Sequence, residues 1–221
     1  AAITLTVVEP TSNGIGSDAF ALIWDGEELH GLNGSGRSPQ AWTPARFSGM
    51  SKMPQLGWDA VTVPGAVDAW VSLSRKFGRL PFPDLFEHAI RYATDGFVVS
   101  PITAARWSQA PALFREFPGF ADQFLIAGQA PLPGEFFQPR GMAGTLKTIA
   151  ETGGEAFYRG ELAAKLVAHA QETGGVMTGA DLAEHHSEWV KPIPQAWLGT
   201  TVYELPPNGQ GLTVLIALGI L

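Results

Sequence analysis

The densest set of side chains able to do chemistry is Asn33-Gly-Ser-Gly-Arg37, a glycine-rich turn with two small polar groups and one cation. Successive backbone N–H groups in such a turn can form an anion-binding nest. Arg37 adds a planar fork that matches a carboxylate. The same Arg37 could instead pair with a structural Asp or Glu, and the sequence leaves both readings open. The glycines alternate but do not form G-x-G-x-x-G ahead of a helix, so a nucleotide site is not expected. A second segment, Pro207-Asn-Gly-Gln-Gly211, precedes an apolar run. Asn208 is a good helix N-cap, and Gly209 and Gly211 allow another backbone to approach. The first helical turn could offer N–H groups to an anion or simply pack closely.

Other chemically able residues read as structural. Thr200-Thr201 resembles a nucleophile pair but lies mid-strand with no free amine. His185-His186 invites a metal reading, yet adjacent helical residues point about 100° apart, and no H-E-x-x-H accompanies them. His30, His88 and His169 are isolated in sequence. No complete catalytic constellation is present.

Pattern and turn chemistry place these residues on elements. Residues 1–8 read as the last turns of a buried helix, and Pro10 to Gly16 as a loop. Residues 19–24 read as a buried strand, Asp25-Gly26 as a hairpin turn, and residues 29–33 as the return strand. A helix is expected over 64–78, with Val67, Trp70, Val71 and Ser74 on one face and Asp68 and Arg75–Lys76 matched to its dipole. The next helix takes Asp84 as N-cap with Glu87 three residues on, a stripe of Leu85, Phe86, Ala89, Ile90 and Ala93, and a stop at Gly96. Ser100-Pro101 opens a third. Further helices are expected at 144–152 and 160–173, the latter with a Glu161–Lys165 pair. A small one capped by Thr178 and Asp181 runs to His185. Residues 197–205 read as one strand, followed by a final apolar helix. This order gives an α+β fold with segregated layers.

The chain has 221 residues, 45% hydrophobic and 16% charged, with a mean hydropathy of +0.08. That composition excludes disorder, and a chain this long buries about 70% of its unfolded surface. The net charge of −7 and the absence of a Lys/Arg cluster argue against nucleic acid as a partner. Zero cysteines exclude disulfides and thiolate zinc sites and leave the compartment open between cytoplasm and periplasm. The apolar run 211–221 holds eleven residues, too few for a bilayer span of about 20. Residues 1–10 do not read as a signal peptide. Both ends are expected to be cut from a longer protein, because each lies in apolar sequence.

Together these segments resemble the gamma-glutamyltransferase family of N-terminal-nucleophile hydrolases. The resemblance runs through Val8-Glu-Pro-Thr-Ser-Asn-Gly-Ile-Gly16, Val63-Pro-Gly-Ala-Val-Asp68, Arg91-Tyr-Ala-Thr-Asp-Gly-Phe97, Ala156-Phe-Tyr-Arg-Gly160, Gly175-Val-Met-Thr-Gly-Ala-Asp-Leu182 and Val202-Tyr-Glu-Leu-Pro-Pro207, in the family's order. It implies a partial αββα sandwich with a substantial helical layer, residues 1–221 being part of a single domain in the large-subunit region. It also implies a precursor that cuts itself into two subunits. The nucleophile is then an N-terminal Thr of the small subunit, so no catalytic residue is expected in this chain, which alone should be inactive. No metal or organic cofactor is implied. The partners are the small subunit and a small amide or peptide substrate carrying a carboxylate.

One departure bears on specificity. Typical transpeptidases carry an Arg shortly before Ala-Pro that grips the substrate carboxylate. Here, counting back from Pro39, Ser35 holds that position and Arg37 sits two residues later. The Asn33-to-Arg37 and Pro207-to-Gly211 forms look more like the family's divergent branch of acylases and amidohydrolases, including those acting on oxamate. The expected substrate-binding residues are Arg37, which reads the carboxylate, Ser35, which lines the same turn, and Asn208 with Gly209, which shape the pocket floor. The alternative is a non-catalytic binding or interaction protein.

Overall fold

The computed structural model describes residues 1–117, 119–139 and 141–221. Along the chain run α1 (Ala2–Val8), β1 (Ala19–Trp24), β2 (Leu29–Gly34), α2 (Ala66–Phe77), α3 (Glu87–Asp95), β3 (Phe97–Val98), α4 (Pro101–Trp107), α5 (Ala110–Leu113), α6 (Phe120–Phe124), β4 (Phe136–Phe137), α7 (Met142–Glu151), α8 (Glu155–Arg159), α9 (Glu161–Glu172), α10 (Gly179–Ala183), β5 (Glu188–Val190), β6 (Ile193–Trp197), β7 (Thr200–Glu204) and α11 (Gly211–Ile220). The fold is α+β, as expected. The contacts divide it into two compact units, one of 1–15 with 77–156 and one of 16–76 with 157–221.

In the first unit, α3 packs against α1 and α7. Phe86, Ala89 and Ala93 are buried as their spacing predicts, as are Leu146 and Ile149 of α7, whereas Leu85 of the same expected stripe is exposed just ahead of α3. Asp84 does not cap α3. Residues 82–86 form a 3₁₀ turn with Pro83 near its start, and α3 begins only at Glu87. Proline in this first turn tightens the chain before regular helix can propagate. The Ser100 cap holds, since its side chain accepts from Thr103 N. A two-residue ladder pairs Phe97 with Phe137, whose rings meet edge to face at 6.0 Å. Trp107 closes on Phe137 at 4.9 Å.

The second unit holds an antiparallel sheet in the order β1-β2-β5 and a separate β6-β7 hairpin against which α11 packs. Its other core gathers Val63, Ala163, Ala170, Met177 and Leu182 under Trp58 and Leu166. Two strand expectations need correction. β1 is not buried: it is an edge strand, and Phe20, Leu22 and Trp24 on one face are 46%, 40% and 63% exposed. The stretch 197–205 is not one strand. Leu198 and Gly199 both adopt left-handed φ, which reverses the chain and pairs Trp197 with Thr200. Likewise α10 stops at Ala183, before His185.

The approach to the glycine-rich turn is set by contacts that only glycine allows. A Cβ on Gly36 would lie 1.4 Å from the Val63 carbonyl oxygen, and one on Gly65 would lie 1.9 Å from the Gly34 carbonyl oxygen. Neither backbone can yield, since Val63 N donates to Arg37 O and Gly65 N donates to Ser17 O. Gly36→Ala and Gly65→Ala are each expected to cost about 3 kcal/mol, the upper range of overpacking. Gly209→Ala, with nothing within 4 Å, should change stability by less than about 0.5 kcal/mol. Urea unfolding of the three variants checks this, and equal effects would refute it.

Candidate functional site

β2 delivers Asn33 to the sheet end, paired with Glu188 in the neighbouring strand. Beyond it the chain turns at once. Asn33 Oδ1 accepts from Ser35 N at 2.9 Å, closing an Asx turn. The Ser35 hydroxyl lies 2.8 Å from Asn33 Oδ1 and 3.0 Å from Asn208 Oδ1, and can donate to either. Asn33 Nδ2 also donates to Asn208 Oδ1, at 3.1 Å. Two segments far apart in sequence therefore meet in one polar cluster. These bonds fix the Asn208 amide with its oxygen turned to the cluster.

Asn208 is not an N-cap. Gln210 holds that position ahead of α11, because the Asn208 oxygen is already used across the cluster. The close backbone approach in this segment is at Gly211, where a Cβ would meet the Glu204 side chain at 2.7 Å, whereas Gly209 borders open space.

Arg37 is outward and paired. Its Nη2 donates to Glu188 Oε1 at 2.9 Å, with the two side chains 76% and 51% exposed. An ion pair this exposed contributes little. Two of the turn's N–H groups are occupied: Ser35 N by Asn33, and Gly36 N by Asp18 Oδ1 at 3.1 Å. These two donors are therefore not free to form a nest. Farther along, Gln40 N donates to Asp181 Oδ1 at 2.9 Å.

Buried groups behind the turn were not legible as site residues. Asp181 forms the expected capping box with Thr178 while its other oxygen holds Gln40. Burial opposes its ionisation, but donors from Gln40 N, the Thr178 hydroxyl and Thr178 N outweigh this and keep the carboxyl below its ordinary range. Asp68 anchors Ser187 N at 2.6 Å. The Tyr158 hydroxyl donates to Pro64 O at 2.8 Å and accepts from Asp68 N at 3.0 Å. Its burial pushes the phenol well up. His185, 7% exposed, stacks on Tyr158 with ring centroids 5.3 Å apart, and its Nε2 has no partner among the described residues. Burial lowers its pKa, against a smaller opposing pull from Asp68. His186 instead faces the Glu184 carbonyl oxygen through Nδ1, so the two rings serve different surroundings. Thr200 and Thr201 sit in the β6-β7 ladder, opposite Trp197 and Ala196. The Thr178-x-x-Asp181 spacing signals the capping box in advance; in the sequence His185 stands out only as half of a His pair, and Tyr158 only within the family segment 156–160.

The whole chain, residues 1–221, matches the model of the gamma-glutamyltranspeptidase family. It is 41% identical over 220 residues to the glutathione hydrolase-like YwrD proenzyme of Bacillus subtilis, covering 98% of this chain and 42% of that protein. It is 36% identical over 228 residues to the oxamate amidohydrolase proenzyme of Klebsiella pneumoniae, covering 100% of this chain and 43% of that protein. Among solved structures, the cephalosporin acylase of Bacillus halodurans superposes with a TM-score of 0.94 at 46% identity, over 99% of this chain and 42% of that one. The chain thus spans less than half the length of these relatives.

His185 sets an expected pH dependence. Its folded pKa lies below the unfolded value of about 6.5. The unfolded state therefore binds the proton first, and the stability due to neutral His185 is full above pH about 6.5 and is lost as pH falls toward the folded pKa. The free energy of urea unfolding, measured from pH 7.5 down to 5.5, should drop by up to about 1.4 kcal/mol per pH unit from this group. His185→Gln should flatten that part of the profile, and an unchanged slope would contradict the assignment.

Proposed function

This chain belongs to the gamma-glutamyltranspeptidase family of N-terminal-nucleophile hydrolases, and on that premise we propose that it is the large-subunit part of a self-cleaving amide hydrolase or acyltransferase. The observation that carries the reading is the Asn33–Ser35–Asn208 cluster beside an outward Arg37, in a chain matched end to end to the family. The relatives' description as proenzymes supports cleavage. The bare apolar face of β1 supports further polypeptide covering this sheet.

In this reading the rest of the precursor supplies an N-terminal Thr. Its hydroxyl attacks the substrate's amide carbon while its own α-amine, which ordinarily titrates at about 7.7–8.0, takes the proton. Backbone N–H groups hold the oxyanion. The amine product leaves with the proton, and water or an acceptor amine then releases the acyl group. The present chain reads the substrate. Arg37 releases Glu188 and binds a carboxylate near the scissile bond. Ser35 lines the same turn, and Asn208 with Gly209 shapes the floor. The substrate class is a small amide with an anionic acyl part, either gamma-glutamyl or a short oxamate-like acid. An amine of the cephalosporin kind is the corresponding candidate leaving group.

The test is a hydrolysis screen on the full-length product, setting gamma-glutamyl anilides against oxamate, cephalosporin-type and neutral amides. The purified product should run as two chains on a denaturing gel; a single chain without activity on any amide would reject the proposal. Arg37→Ala should raise KM for anionic substrates by about tenfold or more, the worth of a charge-assisted hydrogen bond, and leave neutral amides nearly unchanged. Equal effects on both would make Arg37 structural.

A further inference from the structure

The first unit contains a cavity of its own, about 660 Å³, lined in part by Thr11, Arg106, Trp107, Phe114, Phe120 and Phe124. We propose that this cavity binds a small aromatic carboxylate. The walls select the ring. Phe114 and Phe120 lie 4.9 Å apart between centroids, and Phe120 stacks on Phe124 at 5.2 Å. These three rings are half-buried, so each leaves apolar surface facing the space. A planar guest would gain both burial and ring-to-ring contact.

The polar end selects the acid. Arg106 Nη1 donates to Ser12 Oγ at 2.8 Å, and the nearest carboxylate oxygen, Glu9 Oε1, stands 3.7 Å away, beyond hydrogen-bond length. One edge of the fork is therefore occupied, and among the described residues the guanidinium makes no other hydrogen bond. Thr11 lines the same cavity, and its Oγ1 is enclosed with no partner among the described residues. A buried hydroxyl without a partner is costly, and an entering oxygen acceptor would supply one. A carboxylate satisfies both groups at once. Glu9 gives the arrangement a clear alternative, since a cationic guest would pair with Glu9 and be repelled by Arg106.

Calorimetric titration of the full-length protein with phenylacetate, 2-phenylethanol and 2-phenylethylamine separates these outcomes. Phenylacetate should bind at least about tenfold more tightly than the alcohol, and the amine most weakly. Arg106→Gln should bring phenylacetate to the level of the alcohol and leave the alcohol unchanged. Phe120→Leu should weaken acid and alcohol together, with a thermal melt verifying that both variants fold. Preference for the amine, equal binding of acid and alcohol, an unaltered preference in Arg106→Gln, or no binding of any probe would each overturn the proposal. The readout is equilibrium binding, so its failure leaves the hydrolase reading untouched, and the reverse holds as well.

Discussion

The site in the second unit depends on a backbone crossing with no room for a side chain. Gly36 lies against the Val63 carbonyl and Gly65 against the Gly34 carbonyl. Glycine is needed at both positions because a Cβ would occupy space already filled by main chain. The crossing holds the turn after β2 in place, and three carboxylates hold backbone in the turn, just beyond it and just ahead of β5. Asp18 takes Gly36 N, Asp181 takes Gln40 N and Asp68 takes Ser187 N. The backbone of the turn is thereby fixed from several sides. What remains adjustable is its side chains, Ser35 and Arg37.

This division of labour has an electrostatic consequence. Asp18, Asp68 and Asp181 each accept from a backbone N–H, and of the three only Asp181 is buried. Arg37 and Glu188, by contrast, form an exposed pair joined through a single guanidinium nitrogen. Exposed ion pairs are weak because water competes for both partners. Such a pair can exchange its acid for another at small cost. The charged fork is therefore presented on a rigid turn yet is not locked into the structure. His185 and Tyr158 stack behind it as a neutral, buried layer.

Much of the fold was legible because it follows from local rules. The spacing over 64–78 gave a helix that the structure places at Ala66–Phe77. The Ser100 cap, the Thr178–Asp181 capping box and the Glu161–Lys165 pair all form. Two of the departures, at Asp84 and Asn208, share one cause, which is competition for a local signal. Asp84 had the right cap spacing, but a 3₁₀ turn containing Pro83 occupies its place. Asn208 had the right cap chemistry, but its oxygen accepts from Asn33 and Ser35. Leu198 has a side chain that disfavours left-handed φ, so a turn at Leu198-Gly199 was hidden inside an apparent strand.

The sequence by itself determined the main helices, the Ser100 and Thr178 caps, the two glycine-rich turns and the family motifs, because each depends on residues a few positions apart. It also placed Ser35, Arg37 and Asn208 among the residues of interest. Only the tertiary structure decided that Asn33, Ser35 and Asn208 share one hydrogen-bond cluster, that Glu188 neutralises Arg37, and that Tyr158 and His185 lie buried together. It alone assembled the aromatic cavity around Arg106 and Thr11. The physical reason is that hydrogen bonds and packing act over a few ångströms of space, whereas these partners are separated by long stretches of chain whose closure no local pattern encodes.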